Sequence, residues 1–334
     1  MNVFELTRTL IDIESITPNE REVGQFLFQQ LDALARQFGG SAEIMSVEPG
    51  RDNVFVRFGN PVVVLSTHMD TVPPFIPSRD DGDQIWGRGA CDTKGIIASM
   101  ILAAQQLLAE GHSNFGLLFV VGEERNSAGA LYAAKHPRGS KFIINGEPTE
   151  NQLALGSKGA LRFEIIAKGR MAHSAYPELG ESAIEKLLDA MQRVRKLVMP
   201  VHPVLGPSTL NIGIISGGRA PNVIPDEARA EIFIRVVDDV TELREQVKSA
   251  AQPDAGAEEV LFIPAVHLGS LEGFKTTVVA YTTDIPAFDG AWGQPFLIGP
   301  GTIHVAHTAQ ERIAKSQLAE AITIYKQLVE RLSR

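Results

Sequence analysis

The sequence is nearly without cysteine: Cys91 is the only one in 334 residues. No disulfide can close within a chain, and a reducing compartment is the expected setting. Nowhere do about 18 apolar residues follow one another, the length a bilayer-spanning helix needs. The N-terminus, Met1-Asn2-Val3-Phe4-Glu5-Leu6-Thr7-Arg8, has no basic segment ahead of an apolar core and does not read as a secretory signal. Positive charge is also short. Lys and Arg number 31 against 40 Asp and Glu, a formal net charge of -9. That balance argues against nucleic acid as the main partner, since phosphate backbones are held by basic surfaces. Internal repeats and low-complexity linkers are absent. The expectation is a cytoplasmic protein with neither a membrane nor a nucleic-acid partner. What is present is ordinary for a globular chain, 44% hydrophobic and 21% charged, and long enough for two domains with a substantial core.

One stretch organises the rest. Val62-Val63-Val64-Leu65-Ser66-Thr67 reads as a buried strand that breaks into His68-Met69-Asp70 where it should end. Strands apolar on both faces belong to parallel sheets covered by helices. Ligands of such sheets sit beyond the carboxyl ends of the strands. An imidazole there can bind a metal, with a carboxylate two residues on to fix its tautomer. Alone, His68 reads more readily as a capping or packing residue.

Helix-period apolar residues cover 2–14 and 18–38, with Thr17-Pro18 as a start signal and Gly39-Gly40 as a stop. Strands are expected over 42–47 and 53–58, then a Pro- and Asp-rich loop over 73–84. Trp86-Gly87-Arg88-Gly89-Ala90-Cys91-Asp92-Thr93-Lys94-Gly95 leads into an apolar helix from Ile96 to about Glu110. A strand over 115–121 ends in Gly122-Glu123-Glu124, a short helix covers 127–135, and a strand over 141–145 ends in Gly146-Glu147-Pro148. Residues 159–264 then follow a β-α-β-β-α-β order, the ferredoxin-like arrangement. Strands over 276–281 and 295–298 lead to Gly299-Pro300-Gly301, His304 and His307, and a closing helix is expected from Ala309 to about Leu332. The fold expected is α/β, a mixed, mostly parallel sheet flanked by helices. A catalytic domain of residues 1–158 and 265–334 would carry an inserted ferredoxin-like α+β dimerisation domain at 159–264.

His68, Asp70, Glu123, Glu124, Glu147 and one of His304 or His307 follow the buried strands, and Asp92 stands at a loop-to-helix junction. So many carboxylates at one sheet edge would raise one another's pKa values unless something cationic compensated them. With His68, Asp92, Glu124, Glu147 and His307 as ligands, three carboxylates and one hydroxide would balance two zinc ions. Neutrality suits a buried site. A shared carboxylate, here Asp92, would hold the ions roughly 3.5–4 Å apart. Mixed nitrogen and oxygen donors suit zinc, with cobalt or manganese as substitutes. Each piece has a duller reading: Glu123-Glu124 as a solvated loop pair, Asp92 as an N-cap, Glu147 as a turn residue. Gly87-Arg88-Gly89 hints at a nucleotide loop, but Asp92 stands where its third glycine belongs and would repel a pyrophosphate. The coincidence of all five pieces in one sheet decides against the duller readings.

The segments Ser66-Thr67-His68-Met69-Asp70-Thr71-Val72-Pro73, Gly87 to Gly95, Gly122-Glu123-Glu124, Gly146-Glu147-Pro148-Thr149 and the late His307 resemble those of a known metallopeptidase family. It includes acetylornithine deacetylase, succinyl-diaminopimelate desuccinylase, glutamate carboxypeptidase and aminoacylase. The resemblance implies that His68 and Glu147 bind one metal and Glu124 and His307 the other, with Asp92 bridging. Asp70 would orient His68, Glu123 would be the general base, and His304 would be a nearby loop residue. Gly169 to Pro177 resembles the segment whose histidine, here His173, reaches the partner's active site in dimeric members. Gly217 to Pro225 resembles the family's Asn-x-Ile-Pro element, so Asn222 and Arg235, with Gly301, would contact substrate. Arg235 also reads as a surface strand residue with a cross-strand partner. The implied activity is a dinuclear zinc hydrolase of N-acyl amino acids, with an acetylornithine-like compound first. The alternative is a carboxypeptidase or dipeptidase with the same metals. A homodimer through the inserted domain is implied as well. The chain is short for the family, so loops that shape substrate choice are expected to be trimmed. A non-catalytic scaffold would have lost a ligand or the base, and none is missing.

Overall fold

A computed structural model describes all 334 residues. The chain divides into two compact units. One comprises Met1–Leu155, Leu268–Thr277 and Thr283–Arg334, the other Gly156–His267 and Val278–Thr282. The limits read from the sequence, 159 and 264, lie just inside those of the second unit.

In chain order the principal elements begin with α1 (Val3–Asp12), α2 (Arg21–Phe38), β1 (Ser41–Glu48), β2 (Arg51–Phe58) and β3 (Val63–His68). Next come α3 (Gly95–Ala109), β4 (Phe115–Val120), α4 (Ala128–Ala134) and β5 (Phe142–Asn145). The second unit supplies β6 (Gly159–Lys168), α5 (Ala183–Val194), β7 (Thr209–Gly217), β8 (Glu227–Val236), α6 (Thr241–Ala251) and β9 (Gly256–Ile263). The first unit closes with α7 (Ile285–Phe288), β10 (Gln294–Leu297) and α8 (Lys315–Leu332).

The first unit is built on a six-stranded sheet in the order β1-β2-β4-β3-β5-β10. The last four of these run parallel to one another, and β1 and β2 are antiparallel. Val63 and Leu65 join one core cluster, Val64 another that includes Leu118, Ile143, Phe288 and Trp292. Burial on both faces is why β3 reads as an unbroken apolar run. Each such side chain contributes about 1.5–3 kcal/mol by leaving water. Helix α3 is apolar on nearly every side, with Ile96, Ile97, Met100, Ala103, Ala104 and Leu107 all buried. That is the signature of a central helix, and it fixes the turn just before it, where Asp92 lies.

The second unit is an antiparallel sheet in the order β7-β8-β6-β9, the ferredoxin-like order. Leu161, Phe163, Ile165, Ile232 and Ile234 face Leu187, Met191, Leu243 and Val247 of its two helices. The Ser182 hydroxyl caps α5 by accepting the Glu185 N–H at 3.3 Å. No helix in the chain is long and apolar enough to cross a membrane.

Three elements differ from the sequence reading. Helix α2 starts at Arg21 rather than directly after Pro18, because Thr17 is drawn to Asp70. The closing helix starts at Lys315, not Ala309, because Arg312–Ala314 pairs with Gln84–Trp86 as a strand. The strand Thr276–Val279 lies outside the six-stranded sheet.

Candidate metal centre

Strands β3, β4 and β5 are parallel neighbours that end at one edge, β3 and β4 level with His68 opposite Val120, and β5 two residues earlier with Asn145 opposite Ser66. The residues that follow therefore share one edge. His68 closes β3. The chain after β4 turns at Gly122, φ +82°, into Glu123-Glu124, and the chain after β5 turns through Gly146 to Glu147. This is the crevice position of a parallel sheet. Asp92 enters from the turn ahead of α3, and His307 from the loop after β10.

Asp92 lies between the two histidines. Its Oδ1 is 3.0 Å from His68 Nε2 and its Oδ2 is 3.2 Å from His307 Nε2. Glu147 Oε1 is 4.0 Å from His68 Nε2, and Glu124 Oε2 is 3.1 Å from His307 Nε2. The five side chains thus form two halves, His68 with Glu147 and His307 with Glu124, sharing Asp92. Donor atoms of His68, Asp92 and Glu124 all lie within 4.8 Å of one another. Asp92 is no N-cap: α3 begins at Gly95 without a side-chain cap. His307 holds φ +63°, a left-handed conformation that non-glycine residues seldom take and that clusters at functional sites.

Asp70 anchors this arrangement. Its Oδ1 accepts the Glu123 N–H at 3.1 Å and its Oδ2 the Glu124 N–H at 3.2 Å and the Thr17 hydroxyl at 2.6 Å. His68 Nδ1 is 3.0 Å from the Asp70 carbonyl oxygen and 3.4 Å from its Oδ1. Nδ1 therefore carries a hydrogen, and Nε2, which faces the acidic cluster, is the nitrogen freed when the imidazole is neutral. Thr93 donates to the His68 carbonyl at 2.6 Å, and Thr67 to the Gly146 carbonyl at 2.7 Å.

The electrostatics describe a cluster short of positive charge. Burial pushes Glu123 and Glu147 well above the usual carboxylate range, and their acidic neighbours add to it against the pull of His68. Burial raises Glu124 too, although its contact with His307 opposes this. Burial alone would lower His68, but Asp70 and Asp92 overcome it and leave the imidazole well above its ordinary value. Hydrogen bonds to Asp92 and then Glu124 push His307 up to about 10. Asp92 is held low, the two imidazoles outweighing the effect of its burial, and Asp70 is lowered too by His68 and Thr17 against its own burial. Buried Glu147 Oε1 has no hydrogen-bond partner. Carboxylates that seek protons beside imidazoles that keep them are what divalent cations relieve. The donor set fits such ions.

The remaining expected residues fall elsewhere. His173 and Asn222 are exposed in the second unit. His173 Nδ1 accepts the Ala175 N–H at 3.1 Å. Arg235 lies over the Phe233 ring, its carbon 4.8 Å from the centroid, and its buried Nη1 has no hydrogen-bond partner. The cross-strand partner considered for it is absent from its polar contacts. Gly301 donates its N–H to Gln317 Oε1 at 3.1 Å, and a Cβ there would come 2.6 Å from that of Cys91. Gly301 thus packs closely behind the Asp92 turn with its amide engaged. His304 is an exposed loop residue.

Two carboxylates not singled out in the sequence belong to the surroundings. Glu311 accepts the N–H groups of Cys91 and Asp92, both at 3.3 Å. Its only signal is a lone acid four residues after His307. Asp284, ahead of α7, is fully buried with neither oxygen in a hydrogen bond of ordinary geometry. Burial first, then Asp70 and Glu124, push it up to about 7 against the favourable effects of Ser127 and His68.

Residues 64–331 match the model of peptidase family M20/M25/M40. A peptidase M20 domain-containing protein of Schizosaccharomyces pombe is 39% identical over 98% of this chain and 84% of its own length. A "probable carboxypeptidase" of Aspergillus terreus is 37% identical over 97% of this chain and 84% of its own. The crystal structure of aminopeptidase PepT from Bacillus cereus superposes with a TM-score of 0.82 at 19% identity, covering 100% of this chain and 98% of that one. A dinuclear metal-binding M20 peptidase from Bacillus subtilis superposes at 0.71 and 19% identity, covering 99% and 98%. At those identities the structures speak for the fold; the sequence matches carry the family. The chain belongs to peptidase family M20/M25/M40 and is a metal-dependent peptidase that hydrolyses amide bonds.

Proposed function

We propose that this protein is a dinuclear metallo-carboxypeptidase acting on short peptides with a free α-carboxylate. The observation that carries the reading is Asp92, whose two oxygens each face a different histidine, at 3.0 and 3.2 Å. His68, Glu147 and Asp92 would hold one divalent cation, and Glu124, His307 and Asp92 the other, zinc being the ion that suits these donors best. When bound, the cations supply an acidified water and polarise the scissile carbonyl. Glu123, half-buried and raised in pKa, takes a proton from the attacking water and returns it to the leaving nitrogen. Asp70 keeps His68 in the tautomer that leaves Nε2 free to ligate.

Arg235 is the chain's candidate for the substrate carboxylate. Its buried Nη1 lacks a partner, and a guanidinium grips a carboxylate through two parallel hydrogen bonds. The Aspergillus relative, named a probable carboxypeptidase, also favours this reading over deacylation of an acetylornithine-like compound. The homodimer stays part of the proposal. With Nδ1 accepting a backbone N–H, His173 presents Nε2–H as a donor suited to an oxyanion across the interface. Sedimentation of a fully active monomer would remove that role.

The test is a panel of dipeptides, tripeptides, C-terminally amidated peptides and acetyl- and succinyl-amino acids, with zinc and with cobalt. Free-carboxylate peptides should be cleaved best. Arg235→Met should raise KM for them by about 10–100-fold, the value of a charged hydrogen bond. Equal cleavage of amidated and free peptides would dismiss the carboxypeptidase reading, and preference for acyl-amino acids would restore deacylation.

A further inference from the structure

Arg88 and Glu311 form an ion pair that is almost wholly inaccessible to solvent. Arg88 Nη1 donates to Glu311 Oε2 at 2.5 Å, and each partner also reaches backbone. Glu311 Oε1 accepts the N–H of Asp92, and of Cys91 before it, at 3.3 Å each. Arg88 Nη1 donates to the carbonyl of Thr308, the residue directly after His307, at 3.3 Å. Its Nε donates to the Pro74 carbonyl at 3.3 Å. One buried pair therefore holds the main chain at Asp92 and beside His307, two side chains that themselves meet at 3.2 Å.

Stability alone does not account for the pair. Removing two charges from water costs several kcal/mol, and well-packed apolar residues often replace a buried pair with no loss. What apolar residues would not supply is directional hold on two loops. That hold is needed here because His307 sits on a loop, at φ +63°, with its side chain half-exposed. His68, in contrast, ends a central strand and has Asp70 beneath it.

We propose that the Arg88–Glu311 pair is the positioning device of the cation site made by Asp92, Glu124 and His307. It sets the approach of His307 to Asp92 without touching either ion. The inference rests on the dinuclear reading above. In its absence the loop after β10 would carry His307 away from Asp92 while the His68–Glu147 half kept its geometry. The consequence is unequal: the site that shares Asp92 and also depends on the His307 loop weakens most, and the His68–Glu147 site, which shares only Asp92, weakens less.

The experiment is cobalt titration of the chelated chain, read by visible absorption and by metal analysis after gel filtration. The set is wild type, Glu311→Gln, Arg88→Lys, the apolar double variant R88M/E311L, and His307→Ala as the reference for loss of that site. Wild type should bind two cobalt ions per chain. In Glu311→Gln and Arg88→Lys one ion should weaken by about 10–100-fold, the usual effect of an outer-shell partner. The ion retained should give the spectrum of His307→Ala, with kcat reduced and KM unchanged. The double variant guards against misfolding. It should still unfold in one cooperative transition, at a midpoint below wild type because the Cys91 and Asp92 N–H groups lose their acceptor, and still lose the same ion. Two ions held at wild-type affinity in the variants would overturn the proposal, as would equal weakening of both sites, which marks general loosening. Wild type binding fewer than two ions would instead overturn the dinuclear reading beneath it.

Discussion

The Thr17 hydroxyl donates to Asp70 Oδ2 at 2.6 Å across 53 positions of sequence. Asp70 also accepts two amides from the Glu123-Glu124 turn, so both of its oxygens are engaged. Asp70→Asn would turn one acceptor into a donor facing an N–H that already donates. Zinc affinity should fall by about 10–100-fold. Thr17→Val removes one hydrogen bond to a charged group and should cost about 1.5–3 kcal/mol of stability with a smaller effect on zinc. Isothermal titration and urea unfolding of the chelated proteins check the pair. Unchanged zinc affinity in Asp70→Asn would show that Asp70 braces the turn only.

Glu123 is next to a ligand in sequence, yet in the proposed mechanism it holds no metal. Glu123→Gln keeps the shape and removes the base. Turnover should drop by about 10²–10⁴-fold, the usual contribution of general acid–base catalysis, with metal content unchanged from wild type. Loss of metal in this variant would move Glu123 into the ligand set, and surviving turnover would end its role as base.

What the sequence made legible follows from distance along the chain. His68, Glu124 and Glu147 stand within a few residues of the ends of buried strands, and adjacency in a parallel sheet then brings them together. Asp92 is readable because an apolar helix begins just after it. The ferredoxin-like order of the second unit emerges from alternation along its strands. Thr17, Asp284 and Glu311 escape because nothing local marks them. Glu311 meets Asp92 across 219 positions, through a loop path no periodicity encodes. That same burial of Glu311 explains why α8 starts late: the chain is held at Glu311 and paired at Arg312–Ala314 before it can coil.

Cation binding should release protons. In the metal-free chain His307 keeps its proton up to about 10, and His68 lies well above its ordinary range. Ligation requires neutral imidazole, so each ion displaces a proton. At pH 7 we expect about one proton released per zinc or more, since raised Glu147 and Glu124 add to the count. Affinity should therefore rise with pH through the range below about 10 set by His307. Calorimetry in buffers of different ionisation enthalpy measures the release directly. Zinc binding with no buffer dependence would mean that the ligands are already deprotonated at neutral pH.

Asp284 gives a stability prediction with a definite sign. Its folded pKa is raised from 3.8 to about 7. Between these values the folded chain holds a proton that the unfolded chain has lost, so stability falls as pH rises through that window. Above about 7 both states are ionised, and the folded state carries the cost of a buried carboxylate that Ser127 and His68 offset only in part. Asp284→Asn removes that cost. The chelated variant should be more stable than wild type at pH 8, by on the order of 2 kcal/mol, and the advantage should vanish near pH 4. Urea midpoints at pH 4, 6 and 8 decide it. A variant less stable than wild type at pH 8 would mean that Asp284 is engaged in the folded chain by a donor worth more than its burial costs.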